Sequence, residues 1–570
     1  MKKLFLSILF LVALGWLAAC AAPTIVPSST ATSASVVATN TPIVAKPSAA
    51  PTAQPTNPPT LQPSNYPTRK PNILFILTDD LDVAEIAFMP KLQELLVKQG
   101  VLFDNYFVNV SLCCPSRSTI LRGQYSQGTQ IFGNQPPDGG YEKFHANHDE
   151  ESTIAVWLQN AGYRTMLAGK YLNGYPNTVA QTFVPPGWTE WYSAAKGNAY
   201  GEYNYTLNEN SKLVEYGKKP EDYGTDVYAR KTIDFIQRSA KEGKPFFAYV
   251  APYAPHAPST PAPRHANLFA DAKLPRSPNF NEPDASDKPG YIKNRPQLTD
   301  RQIRQIEEQY RLRLQSLQAV DEMIENLINT LKAAGQLDNT YLFFMSDNGF
   351  HLGNHRLATG KWTPYEEDVH VPLIVRGPGV PVNVKLDHLT GNNDLAPTWA
   401  ELAGIKTPDF VDGRSLVSLI RPNPPALTPP LSATGEDGRG WRQCYLLQRG
   451  EPGKDIAPDE DENAYVRPPE MQGLLEPSDE LPEEVAGLEP QRALAVPAFQ
   501  GIHLLHYVYI EYATGEKEFY DLRADLYQLN NLAAKADPAL LKELAARLHE
   551  LQNCTGDQCR VIENKPFAIK

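Results

Sequence analysis

The chain has 570 residues, of which 42% are hydrophobic and 21% are charged, as in a globular protein with a sizeable core. Its 65 acidic residues outnumber its 53 Lys and Arg residues, which argues against nucleic acid as a partner because such proteins carry a basic face. Six cysteines at this length exclude a disulfide-dense scaffold.

Residues 1–20 have the pattern of an export signal. Lys2 and Lys3 precede an apolar run from Leu4 to Leu17, which suits a signal peptide and is short for a membrane span. The run closes in small residues before Cys20, which resembles a bacterial lipobox; an ordinary signal peptide with a chance cysteine is the alternative. We expect an exported protein at the bacterial cell surface or envelope, lipid-anchored at Cys20 and touching the membrane only there.

Residues 21–68 have the composition of a tether. Ten of these 48 residues are Pro, and Lys46 carries the only charge. Such a stretch buries too little apolar surface to offset chain entropy, and Pro keeps it extended. It predicts a spacer between the anchor and the folded part.

Strand-like apolar runs alternate with helical patterns from residue 72 onward. The predicted strands are Asn72–Thr78, Thr165–Ala168, Phe246–Val250, Tyr341–Met345 and Leu373–Val375. The predicted helices are Met89–Gln99, Ser152–Asn160, Asp226–Ser239 and Asp300–Ala334. This alternation predicts a mostly parallel sheet with helices on both faces.

Oxygen-bearing side chains follow two of these strands directly. Asp79 and Asp80 end the first strand, and Asp347 and Asn348 end the fourth. Ligands of α/β proteins gather at the carboxyl ends of strands. These four hard donors suit Ca²⁺ or Mg²⁺ rather than zinc. A solvated loop is the alternative for the first pair.

The segment from Cys113 to Gly123 has the features of a helix start. Pro115 suits a first helical turn and Gly123 suits a stop, so Cys113 is expected just before the helix, where free N–H groups favour anions. Arg117 lies about one turn further on and can face the same anion. A vicinal disulfide with Cys114, half of a zinc site, or two buried apolar side chains are the alternatives.

Together these segments resemble the type I, formylglycine-dependent sulfatases. The motif from Cys113 to Arg117 followed by Leu121-Arg122-Gly123 resembles the family signature, and the doubled cysteine is closest to the N-acetylglucosamine-6-sulfatase and heparan endosulfatase branch. Further matching motifs are Asn72 to Asp80, Gly169 to Asn173, Ser346 to His351, Lys361, Val371 to Gly379, and Glu518 to Leu532. The resemblance implies an alkaline-phosphatase-like α/β sandwich with a large, mostly parallel central sheet flanked by helices, plus a smaller C-terminal α+β subdomain.

The resemblance also implies a chemistry. Cys113 would be oxidised to formylglycine by a formylglycine-generating enzyme, and its hydrated form would attack the sulfur of a sulfate ester. Calcium, with magnesium second, would be held by the four oxygen donors together with Cys113. Arg117, Lys170 and Lys361 would bind the anion, and His256 would protonate the leaving alcohol.

The sequence departs from many family members at Leu172, where they carry a histidine two residues after the motif lysine. That histidine would accept the proton when sulfate is expelled. Asn173, His351 and His355 are the candidates here.

The implied substrate is a sulfated saccharide, with N-acetylglucosamine 6-sulfate first. An aromatic stretch, Trp188 to Tyr192 with Tyr200, Tyr203 and Tyr205, either reaches over the cleft or forms a packed Ω-loop. Two other functions stay open: a phosphatase or phosphonate monoester hydrolase on the same fold, and a non-catalytic lipoprotein that binds sulfated glycans.

The C-terminal part predicts a smaller α+β subdomain. Tyr507–Tyr512 and Lys517–Tyr520 flank a Thr-Gly turn, Leu540–Leu551 is a helix, and Cys554 and Cys559 favour a local disulfide. The predicted organisation is a signal at 1–20, a tether at 21–68, a sulfatase catalytic domain at 69–420, and a subdomain at 421–570 with an acidic insert at 454–490.

Overall fold

The computed structural model describes residues 69–421, 441–450 and 495–567, all within one compact unit. The predicted signal, the tether and the acidic insert lie outside the described residues. No helix in the described ranges has both the length and the hydropathy to cross a membrane. The domain boundaries stay a prediction.

The strands of the described residues form one large sheet and three smaller ones. They are β1 Asn72–Thr78, β2 Val101–Phe103, β3 Tyr106–Phe107, β4 Arg164–Gly169, β5 Glu190–Gly197, β6 Tyr205–Glu209, β7 Lys212–Tyr216, β8 Phe246–Ala251, β9 Thr340–Ser346, β10 His351–Leu352, β11 Thr359–Gly360, β12 Leu373–Arg376, β13 Val384–Leu386, β14 Thr390–Gly391, β15 Tyr445–Arg449, β16 Phe499–His503, β17 Tyr507–Tyr512 and β18 Lys517–Asp521. Ten strands form the large sheet, in the order β13-β2-β12-β9-β1-β8-β4-β5-β6-β7.

The α-helices cover both faces of this sheet and the side of the C-terminal sheet. They are α1 Pro90–Leu95, α2 Cys113–Arg122, α3 Ser126–Thr129, α4 Gly140–Ala146, α5 Ile154–Asn160, α6 Gly224–Glu242, α7 Gly290–Lys293, α8 Asp300–Ala333, α9 Glu366–Val369, α10 Leu395–Leu402, α11 Val417–Ile420, α12 Pro538–Leu551 and α13 Asp557–Asn564. The predicted helix over 89–99 is shorter, because one α-turn lies between two 3₁₀ turns.

The five strands at the centre of the large sheet, β9, β1, β8, β4 and β5, run parallel. Antiparallel pairs flank them on both sides. This confirms the predicted mostly parallel sheet. The hairpin extension β5-β6-β7 was not predicted, because its outer strand is largely exposed and lacks an apolar run.

Strand β1 shows why its sequence is apolar without interruption. Ile73 and Phe75 pack on one face with Trp399 of α10, whereas Leu74 and Ile76 pack on the other with α8. A strand covered on both faces buries every side chain, so no polar alternation remains. The layers therefore bring the ends of the central strands to one edge, above a fully packed core.

The C-terminal residues form a four-stranded antiparallel sheet, β15-β16-β17-β18, with α12 and α13 beside it. This confirms the predicted smaller C-terminal unit and its hairpin. Asn109, which follows β3, contacts this sheet: its Nδ2 donates to the carbonyl of Leu446 in β15 at 2.8 Å. Cys554 and Cys559 form the predicted disulfide.

Candidate active site

Nine side chains predicted from sequence meet at the carboxyl ends of the central strands. We call them the Cys113 cluster: Asp79, Asp80, Cys113, Arg117, Lys170, His256, Asp347, Asn348 and Lys361. All nine are buried. Because β1, β4, β8 and β9 are adjacent and parallel, the residues that follow them reach the same edge.

Cys113 is the first residue of α2 and not, as predicted, the residue before it. Leu112 is the extended N-cap, and the helix ends at Gly123, whose φ of 69° is the left-handed conformation that glycine favours. The Cys113 thiol lies 2.8 Å from Lys361 Nζ and 3.4 Å from Asp79 Oδ1. Burial and the charge of Asp79 raise its pKa well above the usual value. An unmodified Cys113 is therefore a protonated thiol and a poor nucleophile.

Two cations hold two carboxylates beside Cys113. Arg117 Nε donates to Asp347 Oδ2 at 2.8 Å, and Lys170 Nζ donates to Asp79 Oδ2 at 2.6 Å. Burial alone would raise the pKa of Asp79, but Lys170, His256 and Arg117 outweigh it and lower that pKa. Burial and the neighbouring charge of Asp79 raise the pKa of Asp347. The two carboxylates thus crowd each other despite their cations.

Asp80 is the second centre of contacts. Its backbone has a left-handed φ of 65°, and Lys361 Nζ and Asn348 Nδ2 donate to Oδ1 at 2.5 and 2.7 Å. His256 Nε2 lies 3.6 Å from Asp80 Oδ2. Asp is one of the few non-glycine residue types that enter this backbone region readily. The conformation turns Asp80 toward the same point as Asp79.

The donors of the cluster fit a divalent cation. One ligand atom each from Asp79, Asp80, Cys113 and His256 lies within 4.8 Å of the others. Asn348 Oδ1 is buried and has no hydrogen-bond partner among the described residues. Buried polar atoms are almost always paired, so this amide oxygen suits a metal ligand. A set rich in carboxylate and amide oxygens favours Ca²⁺ or Mg²⁺.

Arg313 and Glu85 support this site and were missed from sequence. Arg313 Nη2 donates to the carbonyl of Asp80 at 2.5 Å, and its guanidinium forms a two-bonded pair with Glu85 at 2.7 Å. Both side chains are buried. The sequence does contain a signal for Arg313, because a charged residue stands on the apolar stripe of α8. That stripe includes Ile306, Tyr310, Leu317 and Val320.

The three candidates for the missing histidine take different places. His351 Nδ1 contacts Asp368 at 3.0 Å, and His355 Nδ1 contacts Glu282 at 2.8 Å. Each ring thus pairs with a carboxylate that is not part of the Cys113 cluster. Asn173 directly follows Leu172 and contacts Tyr200, which in turn touches the cluster. The proton acceptor stays unassigned.

Most of the predicted aromatic stretch belongs to the packed structure. Trp188 and Trp191 are part of the core, and Tyr205 stacks on Tyr216 with ring centroids 5.1 Å apart. Tyr200 differs, because its ring contacts Lys170 and His256. Packing therefore explains the tryptophans, and one tyrosine reaches the Cys113 cluster.

Comparison with known proteins fixes the family. The family model described as Sulfatase matches residues 71–405, which includes the whole Cys113 cluster. This chain belongs to the sulfatase family. It is therefore a sulfatase, a hydrolase of sulfuric esters.

Two relatives align with this chain over most of its folded part. The N-acetylglucosamine-6-sulfatase of Homo sapiens is 34% identical over 499 residues, covering 86% of each chain. The putative extracellular sulfatase Sulf-1 homolog of Caenorhabditis elegans is 37% identical over 386 residues, covering 66% of this chain. That match spans about half of the longer worm protein, 52% of its length.

A solved structure supports the fold. BT4656, determined with its substrate D-glucosamine-2-N,6-O-disulfate, matches with a TM-score of 0.64 at 22% identity, covering 88% of this chain and 100% of BT4656. At this identity the likeness bears on architecture alone. It confirms the predicted alkaline-phosphatase-like α/β fold.

Proposed function

We propose that this sulfatase removes sulfate from a sulfated saccharide, with N-acetylglucosamine 6-sulfate as the leading substrate, through a formylglycine made from Cys113. The observation that carries the proposal is the position of Cys113. Its side chain lies at a helix N-terminus, between Lys361 and Asp79, at the edge where the central strands end. The relative from Homo sapiens supplies the substrate class by name.

The charges of the cluster support an anionic substrate. Asp79, Asp80 and Asp347 carry three potential negative charges, and Arg117, Lys170 and Lys361 carry three positive ones. A divalent ion added to this balanced set would leave an excess of positive charge. Inside a buried site that excess favours a sulfate ester over a neutral ligand.

Asp79, Asp80, Asp347 and Asn348 would hold the calcium ion, together with the oxidised side chain of residue 113. When bound, the ion supplies Lewis-acid charge for the sulfate oxygens. The oxidised side chain supplies a hydrated aldehyde oxygen as the nucleophile toward sulfur. Because the Cys113 thiol is held protonated by burial and by Asp79, the unmodified residue would not supply that nucleophile.

The remaining residues of the cluster position groups and protons. Arg117 is fixed by Asp347 and by the carbonyl of Lys170, which accepts from Nη1 at 2.9 Å, so its charge is held in one place. Lys361 holds residue 113 next to Asp80. His256 would give its proton to the leaving oxygen of the saccharide, a step that general acids accelerate by about 10²–10⁴-fold.

The setting of the enzyme is also a proposal. Relatives named as extracellular sulfatases favour an exported protein. We extend this to a cell-surface enzyme that a formylglycine-generating enzyme matures and that a lipid on Cys20 anchors. Cell fractionation of the wild-type protein and of a Cys20→Ala variant would test the anchor. We expect the wild-type protein in the membrane fraction and the variant in the soluble fraction. Equal fractions of both proteins in the membrane would contradict it.

A panel of esters tests the proposed function. One pair shares the same alcohol and carries either sulfate or phosphate, and the other esters differ in the position of the sulfate. We expect release of sulfate from N-acetylglucosamine 6-sulfate at a higher kcat/KM than from its 3-sulfate or from a 2-O-sulfated uronate. N-acetylglucosamine 6-phosphate should be the poorer ester of the same alcohol. Preference for the phosphate would favour the phosphatase alternative. Tight glycan binding without turnover would favour the non-catalytic one.

A further inference from the structure

Tyr200 lies in the β5–β6 connection and contacts two members of the Cys113 cluster. Lys170 Nζ lies over its ring, 5.0 Å from the centroid, and the His256 ring packs against it with centroids 4.5 Å apart. A third ring, that of Tyr253, lies 4.8 Å away on the strand end that carries His256. The Tyr200 ring therefore contacts both Lys170, the proposed anion-binding cation, and His256, the proposed acid.

The loop that carries Tyr200 is held from both ends. Asn198 N donates to the carbonyl of Asn204 at 3.0 Å, which closes the loop at its base. Glu202, buried two residues after Tyr200, accepts from the amide of Thr225 at 2.7 Å at the start of α6. These bonds fix the backbone on either side of Tyr200, so its ring is pre-positioned and does not depend on a substrate to order it.

The ring also borders a cavity of about 90 Å³ beside Lys170. Asn173, Ser193 and Tyr253 share its lining. Asn173 Nδ2 reaches the Tyr200 hydroxyl at 3.4 Å, and Asn173 Oδ1 is buried with no hydrogen-bond partner among the described residues. A space of this size holds several waters. Lys170 and Tyr200 both line this space, on the side of the Cys113 cluster.

We infer that Tyr200 is a positioning residue: its ring orients His256 toward the leaving oxygen and holds the Lys170 ammonium in place against the anion. The inference rests on the proposed function, because it assigns Tyr200 a role through His256 and Lys170. The 5.0 Å contact with Lys170 and the 4.5 Å contact with His256 are made by the aromatic ring, which a phenylalanine retains. The ring therefore decides the effect, and a phenylalanine preserves it.

The test compares two esters whose leaving groups differ in their need for an acid. Release of 4-nitrophenolate requires little protonation, whereas release of the saccharide alcohol requires a proton from His256. For Tyr200→Leu we expect kcat/KM for N-acetylglucosamine 6-sulfate to fall by about 10²-fold, and that for 4-nitrophenyl sulfate by about tenfold or less. Tyr200→Phe should stay within roughly threefold of wild type for both esters.

Tyr203→Leu is the matched control. Tyr203 lies on the same loop, but its ring packs on Tyr223 with centroids 5.6 Å apart. We expect this variant to lower both rates equally or not at all. Equal losses for the two esters in Tyr200→Leu, or a Tyr200→Phe variant as impaired as Tyr200→Leu, would overturn the inference. Wild-type turnover of both esters in the same assay tests the proposed function separately.

Discussion

The Cys113 cluster and a second buried group of charges, the Arg442 cluster, differ in how completely their carboxylates are paired with cations. The Arg442 cluster consists of Arg442, Asp394 and Glu563 and joins the C-terminal residues to α10. Arg442 donates to both oxygens of Asp394, at 2.6 and 2.8 Å, and its Nε donates to Glu563 at 2.9 Å. There, the Arg442 guanidinium forks onto Asp394. Glu563 also accepts from Arg414 and Tyr125, so both carboxylates are fully paired.

The Cys113 cluster is less well compensated. Its carboxylates stand next to one another, so the charge of Asp79 raises the pKa of Asp347, and Asn348 keeps an unbonded amide oxygen. Such crowding costs stability unless another ligand relieves it. The comparison teaches that burial and charge alone do not mark an active site. In this chain the candidate active site differs from the Arg442 cluster in having carboxylates and an amide oxygen at strand ends that are not fully paired.

The largest expected effect comes from the centre of the Cys113 cluster. Cys113→Ala should lower kcat by about 10⁴-fold or more, because it removes the residue that would supply the nucleophile. Cys114→Ser should retain much of the activity, since Cys114 points into the core. Initial rates on 4-nitrophenyl sulfate check both variants. Equal loss in two folded variants would argue for a paired-thiol site.

Removal of the cation should come next. Chelation should abolish most of the activity and lower the Tm, because Asp79, Asp80 and Asp347 would repel one another without their ion. Added calcium should restore both. A thermal shift with and without chelator, followed by rates, provides the measurement. Activity that survives exhaustive chelation would break the contrast between the two clusters.

The same substitution made directly behind the Cys113 cluster and within the Arg442 cluster would sharpen the comparison. Arg313→Lys loses the two-bonded pair with Glu85 and the bond to the Asp80 carbonyl, so calcium affinity should fall by about 10–100-fold, as for other residues behind metal ligands.

Arg442→Lys is the matched control for Arg313→Lys, since it also replaces a buried, forked guanidinium. It should lower the free energy of unfolding by about 1–3 kcal/mol and leave the calcium titration midpoint unchanged. Calcium titrations followed by activity and by Tm separate the two outcomes. An equal shift of the calcium midpoint in both variants would show that the clusters are not distinct.

The sequence predicted those parts of the site that follow local rules. Apolar strands that end in polar residues located Asp79, Lys170 and Asp347, and the helix start at Pro115 located Cys113 within one residue. Arg313 escaped because its partner Glu85 lies 228 residues away along the chain. The sequence left open whether Tyr200 reaches the site, because its contact with Lys170 depends on how the β5–β6 loop folds over the sheet.

The smallest expected effect on activity concerns a buried carboxylate in that loop. Burial raises the pKa of Glu202 from 4.5 to about 8, although the Thr225 amide and hydroxyl donate to it. Between these two values the folded protein keeps a proton that the unfolded chain has released. The free energy of unfolding should therefore fall as the pH rises through this window. Chemical denaturation of Glu202→Gln should show a flatter pH dependence, and an unchanged slope would contradict this assignment.

The central claim is that Cys113 becomes the reactive group of a sulfatase. Its most direct test is the mass of the peptide that carries residue 113, measured in purified protein that releases sulfate. We predict that this peptide has an aldehyde in place of the Cys113 thiol, while Cys114 stays unmodified, and that the aldehyde fraction rises with specific activity. A peptide with both thiols intact, in protein that is fully active, would contradict the account.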